Sequence, residues 1–425
     1  MYSTGRASDT TRSNPWAKPR AARRMSIARW SAALPLIAVV AMLRSPGAAE
    51  AQDSFAPSRI EAQTEARWSL ANAKALLEVV REASKEGLDP RDYSVEALSA
   101  AVDANQTGPT LDATATEAAL RLAHDYADGR IDDKASFDWH IAPPMTQAAI
   151  EADLAKAIAD GKVGAWLTSL LPTNDQYRAL RTALAQADPA DSTTRSLLRA
   201  NMERWRWMPR NLGDHYLYVN IPSYELTDIR DGQQQATYNV VVGAPKTPTP
   251  QLALYAQSVV VNPSWTLPPS VLKEGKVRPG SAAASKGYSF SRRADGSIQI
   301  RQAPGPMNAL GRIKFDMPNP YAIYLHDTPS KGGFAKDSRA LSHGCVRVQN
   351  IDQLALSLPE GGDIDNALAD RTTKTVPLEK SLPVYIVYFT AQADADGTVR
   401  SLPDPYARDV QVAAKLSTKI QMASR

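Results

Sequence analysis

The 425-residue sequence is poor in several residue types that would point to common protein classes: one cysteine, five histidines and six phenylalanines. A single cysteine, Cys345, excludes an intramolecular disulfide framework. No CxxC pair is present, so the usual zinc clamps are missing as well. Neither sign of charge dominates, with 49 Lys+Arg against 45 Asp+Glu. Eight of the basic side chains but only two of the acidic ones fall in residues 1–51, which leaves 41 against 43 and a net of −2 for the rest. Nucleic-acid binding therefore has no electrostatic footing. Hydrophobic residues at 43% and charged residues at 22% exclude wholesale disorder, collagen-like repeats and a polytopic membrane protein. The length suggests roughly two or three domains.

Long hydrophobic runs are also absent. The strongest, Trp30–Leu43, holds 14 residues, short of the roughly 20 a spanning helix needs. Arg20, Arg23, Arg24 and Arg29 precede it, and Ala49-Glu50-Ala51 follows. Basic segment, short apolar segment and small residues two apart predict a secretory signal cleaved after Ala51, with Met25 as an alternative start. An uncleaved anchor fits the short run less well. Arg23-Arg24 hints at twin-arginine export but lacks the rest of that pattern. The mature protein is expected in the periplasm with no stable membrane span.

What is present divides into a helical half and a strand-rich half. Apolar spacing predicts helices over Trp68–Ala83, Thr116–Tyr126 and Ala148–Ile158, closed by glycines. Asn174 can cap a further helix, and a short one should run up to Arg204. After Pro209 come β-rich runs at 216–221, 238–242, 258–261, 322–325 and 384–389. Among them Ile351–Leu358 reads as helix, with Asn350 and Gln353 as a capping pair. Residues 263–301 lack clear periodicity and read as a loop or small subdomain over one rim. Asp394–Gly397 reads as a hairpin turn, not a calcium loop. The expected fold class is α+β: signal peptide 1–51, helical scaffold 52–200, a sandwich- or barrel-like β catalytic domain 201–390, and an extension 391–425.

Chemistry concentrates between His326 and Arg347. Two of the five histidines share this window with the only cysteine, in Tyr324-Leu325-His326-Asp327-Thr328-Pro329 and Ser342-His343-Gly344-Cys345-Val346-Arg347-Val348. A thiol is about 3% thiolate at neutral pH, so nucleophilic use requires a base at hand. Asp327 and Pro329 favour a turn exposing the imidazole, and Gly344 lets backbone approach a ligand closely. Successive N–H groups there suit an oxyanion. Zinc on His326, His343 and Cys345 is the metal alternative, but His-x-Cys is not a usual clamp. A buried inert thiol is the other alternative. His124, His140 and His215 read as surface or structural residues.

These two motifs, with histidine 19 residues before cysteine, resemble the signature of the L,D-transpeptidase (YkuD-domain) family and its YcbB-type branch. Residues 201–209 (NMERWRWMP), 219–222 (VNIP), 262–265 (NPSW) and 304–311 (PGPMNALG) resemble the same branch. The resemblance implies Cys345 as nucleophile on peptidoglycan tetrapeptide stems, donor and acceptor, forming a thioester with release of D-alanine and then a diaminopimelate cross-link. It implies His326 as base, oriented by the Asp327 carbonyl, with His343, Gly344 and Cys345 lining the oxyanion hole. Arg347, Ser342, Tyr324 and Trp265 would contact substrate, although a surface salt bridge or core packing would also explain Arg347, Tyr324 and Trp265. Carbapenem-type β-lactams would be covalent inhibitors, and no cofactor is called for. Only a short linker near 188–194 separates 177–187 from Asn201, so the branch's peptidoglycan-binding module is expected to be missing. An L,D-carboxypeptidase, a hydrolase of such links, a protein-to-wall anchoring enzyme and a non-catalytic wall-binding scaffold are the competing functions.

Overall fold

A computed structural model describes residues 67–418 except 274, 276 and 394–397. The expected signal segment and the turn at Asp394–Gly397 lie outside the described residues. Among those described, no helix is long and apolar enough to cross a membrane.

The first helix starts two residues later than expected, at Leu70. Ser69 accepts the Asn72 N–H and caps helix Leu70–Glu82. Trp68 instead anchors the chain, its backbone N–H on Asp112 and its indole on Thr116 Oγ1 at 2.9 Å. Gly87 ends the segment in the left-handed conformation at φ +76°. The next predicted helix is longer than its apolar spacing shows, Pro109–Ala127, because proline serves at its first turn. Helices Gln147–Ala159, Val163–Ser169 and Asp175–Gln186 follow, the last capped by Asn174 through the Gln176 N–H. Leu76, Leu98, Leu111, Leu122, Leu154 and Leu167 are among the residues of the shared core.

Helix Ser192–Trp207, capped by Asp191, extends one turn past the expected end at Arg204. Residues 200–207 are buried on every side, because the helix lies between the helical half and the sheet. That explains its charged sequence. Asn201 binds Thr390 and Ala391 N–H groups, and Arg204 pairs with Asp409 at 2.7 Å. Glu203, fully buried, accepts from Arg206, Trp207 Nε1 and Ile131 N.

The strand-rich half contains β1 (His215–Asn220), β2 (Glu225–Arg230), β3 (Gln233–Gly243), β4 (Leu252–Val261), β5 (Trp265–Thr266) and β6 (Tyr288–Arg292). It continues with β7 (Ile298–Gln302), β8 (Ile313–Asp316), β9 (Leu325–His326), β10 (Ala340–Ser342), β11 (Val346–Val348) and β12 (Lys374–Val387). The main sheet runs β10-β3-β11-β9-β8-β4-β12-β1-β2, and β2 pairs again with β3, closing a barrel. Alternate residues such as Leu217, Val219, Val259, Phe315, Leu325 and Val346 fill its interior. The mostly β domain after a helical region is the expected α+β fold. The segment expected as a loop or small subdomain, 263–301, contains short helices and most of a separate sheet β5-β7-β6 that ends at Gln302.

Two local expectations fail for physical reasons. The run Ala322–Leu325 is strand only at Leu325, because Ala322 adopts φ +54° in a loop tied by Asn319. The capping pair at Asn350 does not form: Asn350 enters helix Ile351–Leu356 at φ +52° with no side-chain cap, and the Gln353 N–H bonds its backbone carbonyl instead.

Candidate active site

Strand register brings the motif residues to one face. β11 runs parallel to β9 with Arg347 opposite His326 and Val346 opposite Leu325. β8 lies on the other side of β9, with Lys314 opposite His326 and Phe315 opposite Leu325. Phe315, Leu325 and Val346 are fully buried in the barrel, so the alternation of side chains sends Lys314, His326 and Arg347 to its outside. Tyr324 and Cys345, each two residues earlier in its chain, share that face.

His326 is 5% exposed, and its Nδ1 sits 2.5 Å from the Asp327 carbonyl oxygen. A carbonyl only accepts, so Nδ1 carries the proton and Nε2 keeps its lone pair. Burial lowers the imidazole pKa to about 4, with the positive charge of Arg347 adding to the effect and the Asp327 carbonyl opposing it. The ring is therefore a neutral base at neutral pH. The Asp327 carboxylate is engaged elsewhere, accepting the Arg312 N–H at 2.9 Å and pairing with Lys331. Gly311, at φ +63°, makes room for it: a Cβ there would lie 2.3 Å from the Asp327 carboxyl carbon.

The turn before Cys345 is held from two sides. Ser342 Oγ donates to the Cys345 carbonyl at 2.6 Å and accepts the Gly344 N–H at 3.1 Å. Thr249 Oγ1 donates to the Gly344 carbonyl at 2.7 Å. Gly344 has φ +114°, a conformation that favours glycine. Ser342, expected to touch substrate, is buried and holds the turn. Gly344, expected to offer its N–H to an oxyanion, has that group on Ser342. The Cys345 N–H enters none of the described hydrogen bonds, and His343 is exposed beside it.

Cys345 is half-buried. Burial raises its thiol pKa, while the Tyr324 N–H and the charges of Lys314 and Arg347 act the other way. The Sγ donates to the Ala322 carbonyl at 3.3 Å, so in this state it is not bonded to the imidazole on the same face. Arg347 is half-buried, and none of the described ion pairs includes it. Its surface salt bridge is therefore not formed among the described residues, and its charge acts on both Cys345 and His326. Tyr324 packs under Lys314, whose Nζ is 3.9 Å from the ring centre. Trp265 lies in the small sheet, paired with Gln302 and half-buried.

Sequence reasoning missed Lys314 and Asn319. The alternation Ile313-Lys314-Phe315-Asp316 was the available signal for the first. Asn319 acts through loop hydrogen bonds that leave no such pattern. Among the described residues, no group of three His, Cys, Asp or Glu side chains could hold a metal ion.

Comparison with known proteins finds two domain models that match the chain. Residues 214–386 match the L,D-transpeptidase catalytic domain (YkuD), and residues 63–184 match the scaffold domain. The chain thus carries a match to each model, with the scaffold-domain match preceding the catalytic-domain match. The stretch between the two matches is largely helix Ser192–Trp207, and no peptidoglycan-binding module is matched. A putative L,D-transpeptidase of Haemophilus influenzae is 33% identical over 285 residues, which are 60% of this chain and 57% of that relative. The chain thus spans little more than half the length of that curated relative. The ertapenem-acylated catalytic domain of an Enterococcus faecium L,D-transpeptidase is 14% identical, with 42% of this chain and 99% of that one covered and a TM-score of 0.24. An L,D-transpeptidase from Mycobacterium smegmatis is 16% identical, over 41% of this chain and 58% of that one, with a TM-score of 0.23.

Proposed function

We propose that this protein is an exported peptidoglycan L,D-transpeptidase working through a Cys345 thioester. The observation that carries this reading is a neutral imidazole with its Nε2 free, on the same sheet face as the only thiol, in an L,D-transpeptidase catalytic domain. In the proposed cycle the thiol turns from Ala322 to His326, gives its proton to Nε2, and attacks the carbonyl between diaminopimelate and D-alanine. The Cys345 N–H receives the oxyanion. The imidazolium then protonates the leaving D-alanine amine, which leaves a thioester. An amine of a second stem attacks that thioester, His326 takes the amine's proton, and the thiol is restored with a diaminopimelate-to-diaminopimelate link formed.

Arg347 suits a substrate carboxylate, since it lacks an internal anion and its planar donors match one. A thiolate attacking a carbonyl requires no cofactor, and a strained β-lactam carbonyl such as a carbapenem's would acylate the same sulfur. The signal-like leader places the reaction in the periplasm in this reading. The test is incubation of the mature protein with disaccharide tetrapeptides, followed by mass spectrometry of the products. Cross-linked dimers that Cys345→Ala cannot form support the proposal. Tripeptide monomers alone would make the enzyme an L,D-carboxypeptidase, and activity retained by Cys345→Ala would remove the mechanism.

A further inference from the structure

The acceptor of the resting thiol is not a chance neighbour. Asn319 ties the loop before β9 with four hydrogen bonds: Oδ1 accepts the Tyr321 and Ile323 N–H groups, and Nδ2 donates to the Met317 and Ile323 carbonyls. This knot holds Ala322 at φ +54° and turns its carbonyl onto Cys345 Sγ, 3.3 Å away. The helical half reaches the same loop. Trp139 bridges to Gln251 just before β4, the His140 N–H donates to the Gln251 carbonyl at 2.9 Å, and the His140 ring lies against Tyr321, tilted by 32° with centroids 4.6 Å apart.

We propose that the 317–323 loop, knotted by Asn319 and clamped from the scaffold by His140 on Tyr321, parks the Cys345 thiol away from its base. The inference rests on Cys345 being the reactive thiol of the proposed function. A carbonyl oxygen accepts a thiol proton but repels a thiolate, so the parked state must be left before the nucleophile forms. Leaving it means breaking the Sγ–H···O=C bond at Ala322 and making Sγ–H···Nε2 at His326. No atom is lost, and the proton then passes to the imidazole. The titratable and charged groups facing Cys345 are Lys314 from β8, Tyr324 and His326 from the β9 segment and Arg347 from β11; His140 faces the loop from the helical half. Asn319 and His140 are positioning residues here, not catalytic ones.

The readout is the pH dependence of Cys345 alkylation by iodoacetamide in the full-length protein, which involves no peptidoglycan. A failure to cross-link and a failure to park are thus told apart. Asn319→Ala should lower the alkylation midpoint by about half to one pH unit and raise the rate at pH 7 by about three- to tenfold, the size of one neutral hydrogen bond. His140→Ala, at an exposed position, should shift it the same way by less, and decides the matter alone if Asn319→Ala does not fold. In a His326→Gln background the shift should shrink, since the freed thiol has no imidazole to meet. An unchanged or raised midpoint in His140→Ala, or an undiminished shift without His326, would overturn the proposal.

Discussion

His326 Nδ1 and the carbonyl of its chain neighbour Asp327 lie 2.5 Å apart, and this bond determines which ring nitrogen is the base. It also couples the site to pH. In the proposed cycle acylation needs a neutral imidazole, and the pKa is depressed to about 4 by burial. Carbapenem acylation, followed by loss of β-lactam absorbance, should therefore hold level on the acid side down to about pH 5 and fall below about pH 4.

The same depression affects stability. Between the unfolded histidine pKa of about 6.5 and the folded value, the unfolded chain binds the proton that folded His326 refuses. Stability present above that window is lost as pH falls through it, by up to roughly 3 kcal/mol at the lower end. Thermal unfolding of the wild type between pH 7 and 4 should show this decline, and His326→Asn should show a shallower one.

Arg347→Gln should cut kcat/KM on stem peptides about ten- to a hundredfold, the cost of a charge-assisted hydrogen bond to a carboxylate. Unfolding free energy should move by less than about 0.5 kcal/mol, because no ion pair is lost. Removing the charge also relaxes one of the influences holding the His326 pKa down, so the acid limb should move to higher pH. A stability loss with unchanged kinetics would assign Arg347 to the structure alone.

Gly344→Ala places a side chain at φ +114° with its Cβ 3.4 Å from Ile323 Cδ1. The strained backbone should cost about 1–3 kcal/mol and displace the Cys345 N–H. Calorimetry should show the stability loss, and carbapenem acylation should slow by more than the loss of folded protein accounts for.

Glu203→Ala leaves Arg206 fully buried without its carboxylate. A cost of about 3–5 kcal/mol follows for breaking a buried ion pair, measured by denaturant unfolding. A near-neutral result would mean that the Tyr177 hydroxyl and Glu86 carbonyl suffice as partners for Arg206.

Much of this was legible before any coordinates. Runs such as Tyr238–Val242 and Ser258–Val261 declare strands because β-branched residues pack on a barrel, and the Cys345 and His326 motifs declare chemistry by their composition. The end of helix Ser192–Trp207 was under-read because burial of residues 200–207 on all sides erases the one-sided apolar stripe, and its charges are answered by distant partners such as Asp409. Ala322 read as strand because its φ depends on Asn319, three residues away and itself ordinary in the sequence. The turn-holding part of Ser342, whose hydroxyl is used twice within its own turn, left no sign in the sequence because both partners are backbone groups.

The most direct test is intact-protein mass spectrometry, with peptide mapping, after brief mixing with a tetrapeptide donor and no acceptor. The expected result is an added mass equal to the donor less D-alanine, located on Cys345 and released by hydroxylamine as a thioester should be. A donor consumed with no such adduct in the wild type, or equally well by Cys345→Ala, would contradict it.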